Sequence, residues 1–365
     1  MFNEIGSDFW LYEAEITTTQ KEIPKWLNFG SDIRFLLSGR TAIDYVLEDI
    51  QKKIEIVYMP SYCCDSILKP FHDRNIKIEF YEVAFINGKP VYSINQHKRC
   101  DIFLAMSYFG FSCTKMDAAI NSFIECGVTV IEDITHRLLS EEAHGGAEYS
   151  IASLRKWFAL PAGGVAIKKK GKFKKQLLKD GSALVGVKIS AMKKKAEYLN
   201  KLNKNEAEHD YEKLNFLSAF HEFEKKLESD YRSLKIDKIS QNLLLTIDID
   251  FIRQIRRKNA YYLYEKLRNN LNVKPLICEF NFSNDCPLFI PVTIDADLRD
   301  GLQHHLASKA IYCPVHWPLS VHHDIYMQQS SIYRQSISLI CDQRYDINDM
   351  KRIADTIRVY MEKRG

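Results

Sequence analysis

Tyr149-Ser150-Ile151-Ala152-Ser153-Leu154-Arg155-Lys156-Trp157, followed by Leu160-Pro161-Ala162-Gly163-Gly164-Val165-Ala166, is the stretch on which the reading of this chain turns. A short apolar run ends at Ser153, a single lysine follows among apolar and small residues, and Gly163-Gly164 opens a second β-rich string. Desolvation disfavours a charged amine, and the neutral amine is the form that attacks an aldehyde. Lys156 is therefore a candidate nucleophile. The plainer account is a lysine snorkelling from a strand edge.

Upstream, short apolar runs alternate with amphipathic stretches. Ile56–Pro60, Ile76–Tyr81, Ile102–Met106, Val128–Glu132 and Gly164–Ile167 read as buried parallel strands. Thr41–Ile50, Cys64–His72 and Met116–Cys126 repeat apolar residues every three or four positions and read as helices. Such alternation predicts an α/β fold with a mostly parallel, doubly wound sheet, whose ligands sit beyond the carboxyl ends of the strands. After Ile167 comes Lys-Lys-Lys-Gly-Lys-Phe-Lys-Lys (168–175), then a charged helical stretch near Ala191–Leu234. A solvated hairpin with surface helices is one account, and a basic rim facing a phosphorylated ligand is the other. Phe251–Leu271 is a further helix, Leu288–Ile294 and Ser336–Ile340 are strands, and Asn348–Glu362 closes the chain as a helix with Asp349 in its first turn. The expected division is a large domain over 1–240, with a helical N-terminal arm and the basic insertion, and a small α+β domain over 241–365.

Composition narrows the class. A length of 365 residues, 46% of them hydrophobic and 12% aromatic, supplies a core and excludes disorder. A net charge of +4, from 51 basic and 47 acidic residues, is too small for a dedicated nucleic-acid binder. The nine scattered cysteines form no CxxC pair, so neither a zinc ribbon nor a disulfide framework is expected, and no metal site is read. The N-terminus lacks a signal-peptide pattern, and no run reaches the ~20 apolar residues of a membrane span. A cytoplasmic, soluble protein is expected.

Three further segments carry chemistry. Ser38-Gly39-Arg40-Thr41 opens a helix, where backbone N–H groups and hydroxyls suit an anion, although Ser-Gly is also a common cap. Val130-Ile131-Glu132-Asp133 ends an apolar strand in an acid, which reads as a ligand-facing carboxylate or as a helix cap. His136, three residues on, is otherwise a solvent-facing or capping histidine. Pro60-Ser61-Tyr62-Cys63-Cys64 leaves a strand through an aromatic that can cover a ligand or simply fill the core.

In this order the segments resemble the DegT/DnrJ-type aminotransferases, enzymes of fold type I that use pyridoxal 5'-phosphate (PLP) to aminate keto-sugars attached to nucleotides. The likeness rests on Ser38-Gly39, Pro60-Ser61-Tyr62, Glu132-Asp133 with His136, Ser153 with Lys156, and Gly163-Gly164. It extends to Ile311–Leu319 and to Arg344-Tyr345-Asp346-Ile347-Asn348-Asp349-Met350. The resemblance implies that Lys156 carries PLP as an imine, that Asp133 pairs with the pyridine nitrogen, and that His136 hydrogen-bonds the ring hydroxyl. It implies that Ser38, Gly39, Arg40, Thr41 and Ser153 hold the phosphate, and that Tyr62, Cys64 or Tyr108 lies on the ring face. Tyr108, His316 and Trp317 are the substrate candidates. The implied function is transfer of an amino group, from glutamate to a keto-sugar nucleotide in polysaccharide or glycoconjugate biosynthesis, by a homodimer. Rival readings are a sugar dehydratase, a small amino-acid lyase, or a non-catalytic protein of the same fold. Dehydratase relatives often carry histidine where this chain has Lys156. Three features depart from the pattern. Arg40 replaces a small hydroxyl residue, Ser153 stands closer to the lysine than usual, and the motif by which a neighbouring subunit reaches the phosphate is unrecognisable between Ser190 and Ser240.

Overall fold

Ile102–Met106 and Thr129–Asp133 are buried at every residue, as unbroken apolar strand patterns require. The computed structural model describes residues 4–12, 29–141, 146–175, 179–204, 210–317 and 330–364. The expected N-terminal arm over 13–28, and Pro318-Leu319 of the C-terminal motif, lie outside the described residues. Two compact units interleave along the sequence, one formed chiefly by Asp8–Lys52 with Tyr149–Ile247, the other by Glu4–Ser7, Lys53–Glu148 and Asp248–Gly365. Elements below are numbered along the whole chain.

The first unit carries β2 (Asp32–Leu36), β8 (Tyr149–Ser153), β9 (Gly164–Lys168), β10 (Lys179–Asp180) and β11 (Leu234–Lys235), in the order β10-β11-β2-β9-β8. Its helices are α1 (Gly39–Asp49), α4 (Ser182–Asn203), α5 (Asp210–Ser229) and α6 (Lys238–Leu245). The expected parallel strand at Gly164–Ile167 is instead antiparallel to both neighbours, β2 and β8. The reason is the connection. A parallel pair needs a crossover of a dozen or more residues, and only the short loop bearing Lys156 joins β8 to β9.

The second unit carries β3 (Ile56–Pro60), β4 (Lys77–Ile86), β5 (Lys89–Ser93), β6 (Ile102–Met106) and β7 (Thr129–Asp133), in the order β7-β6-β3-β4-β5. These strands run parallel except at β5, which returns as a hairpin from β4. Helices α2 (Asp65–His72) and α3 (Asp117–Glu125) provide the crossovers. Its C-terminal part sets β12 (Lys274–Pro275), β13 (Ile290–Thr293) and β15 (Ser336–Leu339) in an antiparallel sheet, while β1 (Ile5–Gly6) pairs with β14 (Ile311–Tyr312). Around them lie α7 (Ile249–Leu267), α8 (Ala296–Ser308), α9 (Ser330–Gln335) and α10 (Ile347–Glu362). Asp346 caps α10, and Asp349 returns the bond to the Asp346 N–H, forming a capping box. No helix among the described residues is long and apolar enough to cross a membrane.

Two sequence expectations change in the first unit. The charged stretch after residue 180 is not merely a pair of surface helices. Phe223 and Leu227 of α5 and Val185 of α4 pack with Leu37, Ala162, Tyr231 and Ile236 as a buried core. The basic run is solvated only in part, with Lys169, Lys170, Lys172 and Lys174 exposed while Phe173 and the two ends are held. The Asp49 side chain, fully buried at the end of α1, accepts from Lys168 Nζ (2.5 Å), Tyr149 Oη (2.8 Å) and the Lys174 N–H (2.8 Å). Phe173 is buried, and its ring lies 5.0 Å from that of Tyr45. Lys175 pairs with Glu48. Acids on one helix thus anchor the two ends of the run.

Burial alone would raise the Asp49 carboxyl, but hydrogen bonds from Lys168, Lys174 and Tyr149 hold it below the ordinary carboxylate range. A depressed folded value contributes stability above the unfolded value of about 4, and that contribution is lost as pH falls through the folded value. Asp49→Ala should therefore lower the unfolding free energy at neutral pH by about 3 kcal/mol, the scale for orphaning one member of a buried pair. Urea titrations at several pH values should show the deficit shrinking in acid, and a deficit independent of pH would contradict the charge-based account.

Candidate active site

In the first unit, β2 ends at Leu36 and the chain turns into α1 at Ser38, whose backbone is extended. Ser38 Oγ accepts the Thr41 N–H (3.2 Å) and shares a hydrogen bond with Thr41 Oγ1 (2.9 Å). The first-turn N–H groups of a helix lack intrahelical acceptors and carry the positive end of its dipole. Close packing brings Ser153 to the same place. A Cβ on Gly39 would lie 3.1 Å from that of Ser153, and a Cβ on Gly164 would lie 2.0 Å from the Ser38 carbonyl oxygen. Ser38, Gly39, Thr41 and Ser153 thus come together.

Lys156 ends the 3-10 turn Leu154–Lys156, directly after Ser153. The turn is tied down by the Leu154 N–H on the Gly163 carbonyl (2.9 Å) and by buried Leu154 and Trp157. Lys156 itself is half-buried rather than enclosed. Arg40 turns its guanidinium away from the helix start, donating to the Leu227 carbonyl (3.2 Å) with Tyr231 5.6 Å away. Only its backbone N–H remains at the head of α1, which accounts for an arginine where a hydroxyl residue is expected.

In the second unit, Asp133 is the last residue of β7, buried and paired in register with Met106. Its Oδ1 accepts the Thr135 N–H (2.8 Å) in a local turn, so part of the capping account holds. His136 is fully buried, which excludes a solvent-facing role. The Phe109 N–H donates to His136 Nδ1 (3.1 Å), and an accepting Nδ1 leaves the proton of the neutral ring on Nε2. The Trp317 ring stacks on His136, with centroids 5.5 Å apart and planes 25° apart. Tyr62 is enclosed by Trp317, Tyr108 and Tyr333, and its hydroxyl donates to the His316 carbonyl (2.5 Å). Tyr108 donates to the Tyr62 carbonyl (2.6 Å), and His316 Nδ1 meets Ser338 Oγ (2.8 Å). Burial lifts the Tyr62 and Tyr108 phenols above their ordinary range, so both stay neutral hydrogen-bonding groups. Cys64 is half-buried at the head of α2, its Sγ 3.0 Å from Ser66 Oγ. Among the described residues no cluster of three or more His, Cys, Asp or Glu could hold a metal.

Sequence reasoning missed several supports. Ser240 Oγ accepts the Ala162 N–H (2.9 Å), fixing the loop before Gly163. Phe109 presents its N–H to His136 from a positive φ of 60°, and only the following Gly110 hinted at an unusual turn there.

Gly164→Ala should force Ser38 away from β9 and cost about 2–3 kcal/mol, as overpacking does. Gly163→Ala should cost less, because its nearest neighbours are side-chain atoms of Leu154 and Leu160, at 3.1 and 3.3 Å. Denaturant midpoints of the two variants decide this, and equal losses would show that the backbone approach is not the constraint.

No sequence-family model matches this chain, and no curated protein does. Solved structures do match. The aminotransferase TlmJ from Streptoalloteichus hindustanus aligns with a TM-score of 0.69 over 100% of this chain and 99% of its own, at 13% identity. NtdA from Bacillus subtilis, solved with bound cofactor PMP, aligns at 0.58 over 90% of this chain and 73% of its own, with 10% identity. DesI, solved in the presence of its TDP-sugar product, aligns at 0.62 over 98% and 94%, with 11% identity. At such identities the likeness establishes architecture, and the chain has the fold of the PLP-dependent aminotransferases of fold type I.

Proposed function

We propose that the protein is a PLP-dependent aminotransferase that moves an amino group from glutamate to a keto-sugar nucleotide in polysaccharide or glycoconjugate biosynthesis. The observation that carries the reading is the cradle of the first unit. There Gly39 and Gly164 are pressed against Ser153 and Ser38 so closely that a Cβ on either would crowd or collide with them. The cradle pairs hydroxyls with a helix N-terminus one turn from Lys156, a donor set that fits a phosphate ester whose aldehyde meets the lysine. The fold shared with TlmJ, NtdA and DesI supports the same assignment.

Bound PLP supplies an electron sink for a substrate carbanion. The residues do the rest. Ser38, Thr41, Ser153 and the backbone N–H groups of Gly39 and Arg40 bind the phosphate. Lys156 would hold the cofactor covalently and would serve as the group that moves the proton at the substrate α-carbon. Asp133 would hold a proton on the pyridine nitrogen by favouring its charged form. His136 would offer its Nε2 proton to the ring hydroxyl, with Trp317 stacked on the imidazole. Tyr62, buried among aromatics, supports that end and presents the His316-Trp317 segment to substrate.

Borohydride reduction of PLP-treated protein followed by peptide mapping should place the pyridoxyl group on Lys156, and a label on Lys168 or Lys170 would remove the assignment. Asp133→Asn should slow the glutamate half-reaction about ten- to a thousandfold, the equivalent of 1–3 pK units of lost stabilisation at the ring nitrogen. An unchanged stopped-flow rate would leave Asp133 with only its turn bond to Thr135.

A further inference from the structure

Helices α4 and α5 occupy the part of the chain in which the sequence offers no recognisable motif. Their buried side chains reach the candidate site from below. Val185, Phe223 and Leu227 pack on Leu37 and Ala162, the residues immediately before Ser38 and Gly163. Beside them runs a chain of charges. Glu224 Oε1 lies 3.1 Å from Arg155 Nη1 and 3.8 Å from Lys188 Nζ. Lys188, only 6% exposed, is 3.1 Å from Asp8 Oδ1 and 4.3 Å from the centre of the Phe220 ring. Buried Lys195 donates to the Asp8 carbonyl. The Arg155 guanidinium stands 5.2 Å from the centre of the Phe223 ring, and Arg155 is the residue before Lys156.

We propose that Glu224 is a positioning residue for Lys156, orienting the Leu154–Lys156 turn through its bridge to Arg155. This rests on the reading of Lys156 as the cofactor lysine. Half of the Glu224 side chain is in water, 52% exposed, so the bridge adds little folding energy. Its effect is geometric. A three-residue 3-10 turn is a short element, and Arg155 on it is gripped by another helix, with a ring on one side and a carboxylate on the other. Lys188, itself paired with Asp8, in turn lies beside the carboxylate. When Lys156 links to PLP, its nitrogen attacks the aldehyde carbon and the carbonyl oxygen departs as water with the two amine protons. That attack demands a defined approach, and misplacement by about 1 Å costs as much as a hundredfold.

The test uses the purified full chain and pyridoxal 5'-phosphate. The rate of covalent linkage is followed by absorbance, together with the pH at which the linked chromophore changes its spectrum. Glu224→Gln and Arg155→Met should each slow linkage about tenfold and displace the spectral titration, since both loosen the same turn. The double variant should be no slower than the slower single, because the two act as one unit. Glu212→Gln is the control. It removes an exposed bridge to Lys201 (3.0 Å) between the same helices, remote from Arg155 in the charge chain, and should change neither rate nor titration. Wild-type rates and titrations in the single variants would overturn the proposal. So would a double variant whose slowing is the product of the singles, or a control that slows equally. A wild-type chain that never acquires the label on Lys156 overturns the aminotransferase reading first, and this inference with it.

Discussion

The carbonyl oxygen of Ser38 lies where the β-carbon of any residue but glycine at 164 would be, 2.0 Å from it. That contact sets the register of the first unit. Gly164 is paired with Leu36 on one side and Ser153 on the other, so the start of β9 lies between the end of β2 and the end of β8. A slip of one residue would turn every side chain of β9 to the opposite face and put Val165 against Ser38. With the register fixed, Ser38 and Gly39 are held against Ser153, and Lys156 follows three residues on, at the end of the next turn. The placement of the hydroxyls, the helix N-terminus and the lysine follows from one missing methyl group.

The elements most legible in the sequence are those buried at all or nearly all of their positions. Ile56–Pro60 and Ile102–Met106 form strands with the bounds read from their apolar runs. Thr129–Asp133 extends one residue further than its pattern suggests, because the pairing of Asp133 with Met106 keeps an intrinsically strand-averse residue in the ladder. The direction of β9 was not legible, since composition is silent on whether two strands are joined by a hairpin or a crossover. In α5 the charged residues masked a regular stripe. Phe216, Phe220, Phe223 and Leu227 recur every three or four positions and form the buried face, a period that outweighs the overall polarity of the segment.

Of the candidate site residues, the set Ser38, Gly39, Thr41 and Ser153 was readable because a cap, a glycine and a hydroxyl are local signals. The supports of His136 were not. The donor to its Nδ1 is a backbone amide, of Phe109, and any residue type supplies one. Nor does spacing reveal that Trp317, far along the chain, lies on the same imidazole. Sequence identifies groups that do chemistry better than groups that aim them, because the first depend on residue type and the second on whatever the fold brings alongside.

The lysines show the same limit in electrostatic form. Read along the sequence, 168–175 is a cationic patch, and Lys188 and Lys195 are ordinary positions on a charged helix. In the folded chain Lys168 and Lys175 meet Asp49 and Glu48, from more than a hundred residues earlier, while Lys188 meets Asp8 and Glu224. A buried ammonium loses hydration worth several kcal/mol and is retained only with a partner, so each buried lysine fixes an acid whose identity the local sequence cannot supply. Burial pulls Lys188 below the ordinary lysine range, while Asp8 and Glu224 pull it back towards the charged form. Part of the charge of the first unit is therefore spent internally, on holding α1 to the basic run and α4 to Asp8 and α5. A basic rim that attracts a nucleotide from solution would need cations left over. Lys168 and Lys175, the ends of the run, are already committed to α1, whereas Lys169, Lys170, Lys172 and Lys174 stay exposed, so the fold anchors the run at its ends and leaves the middle of it in water.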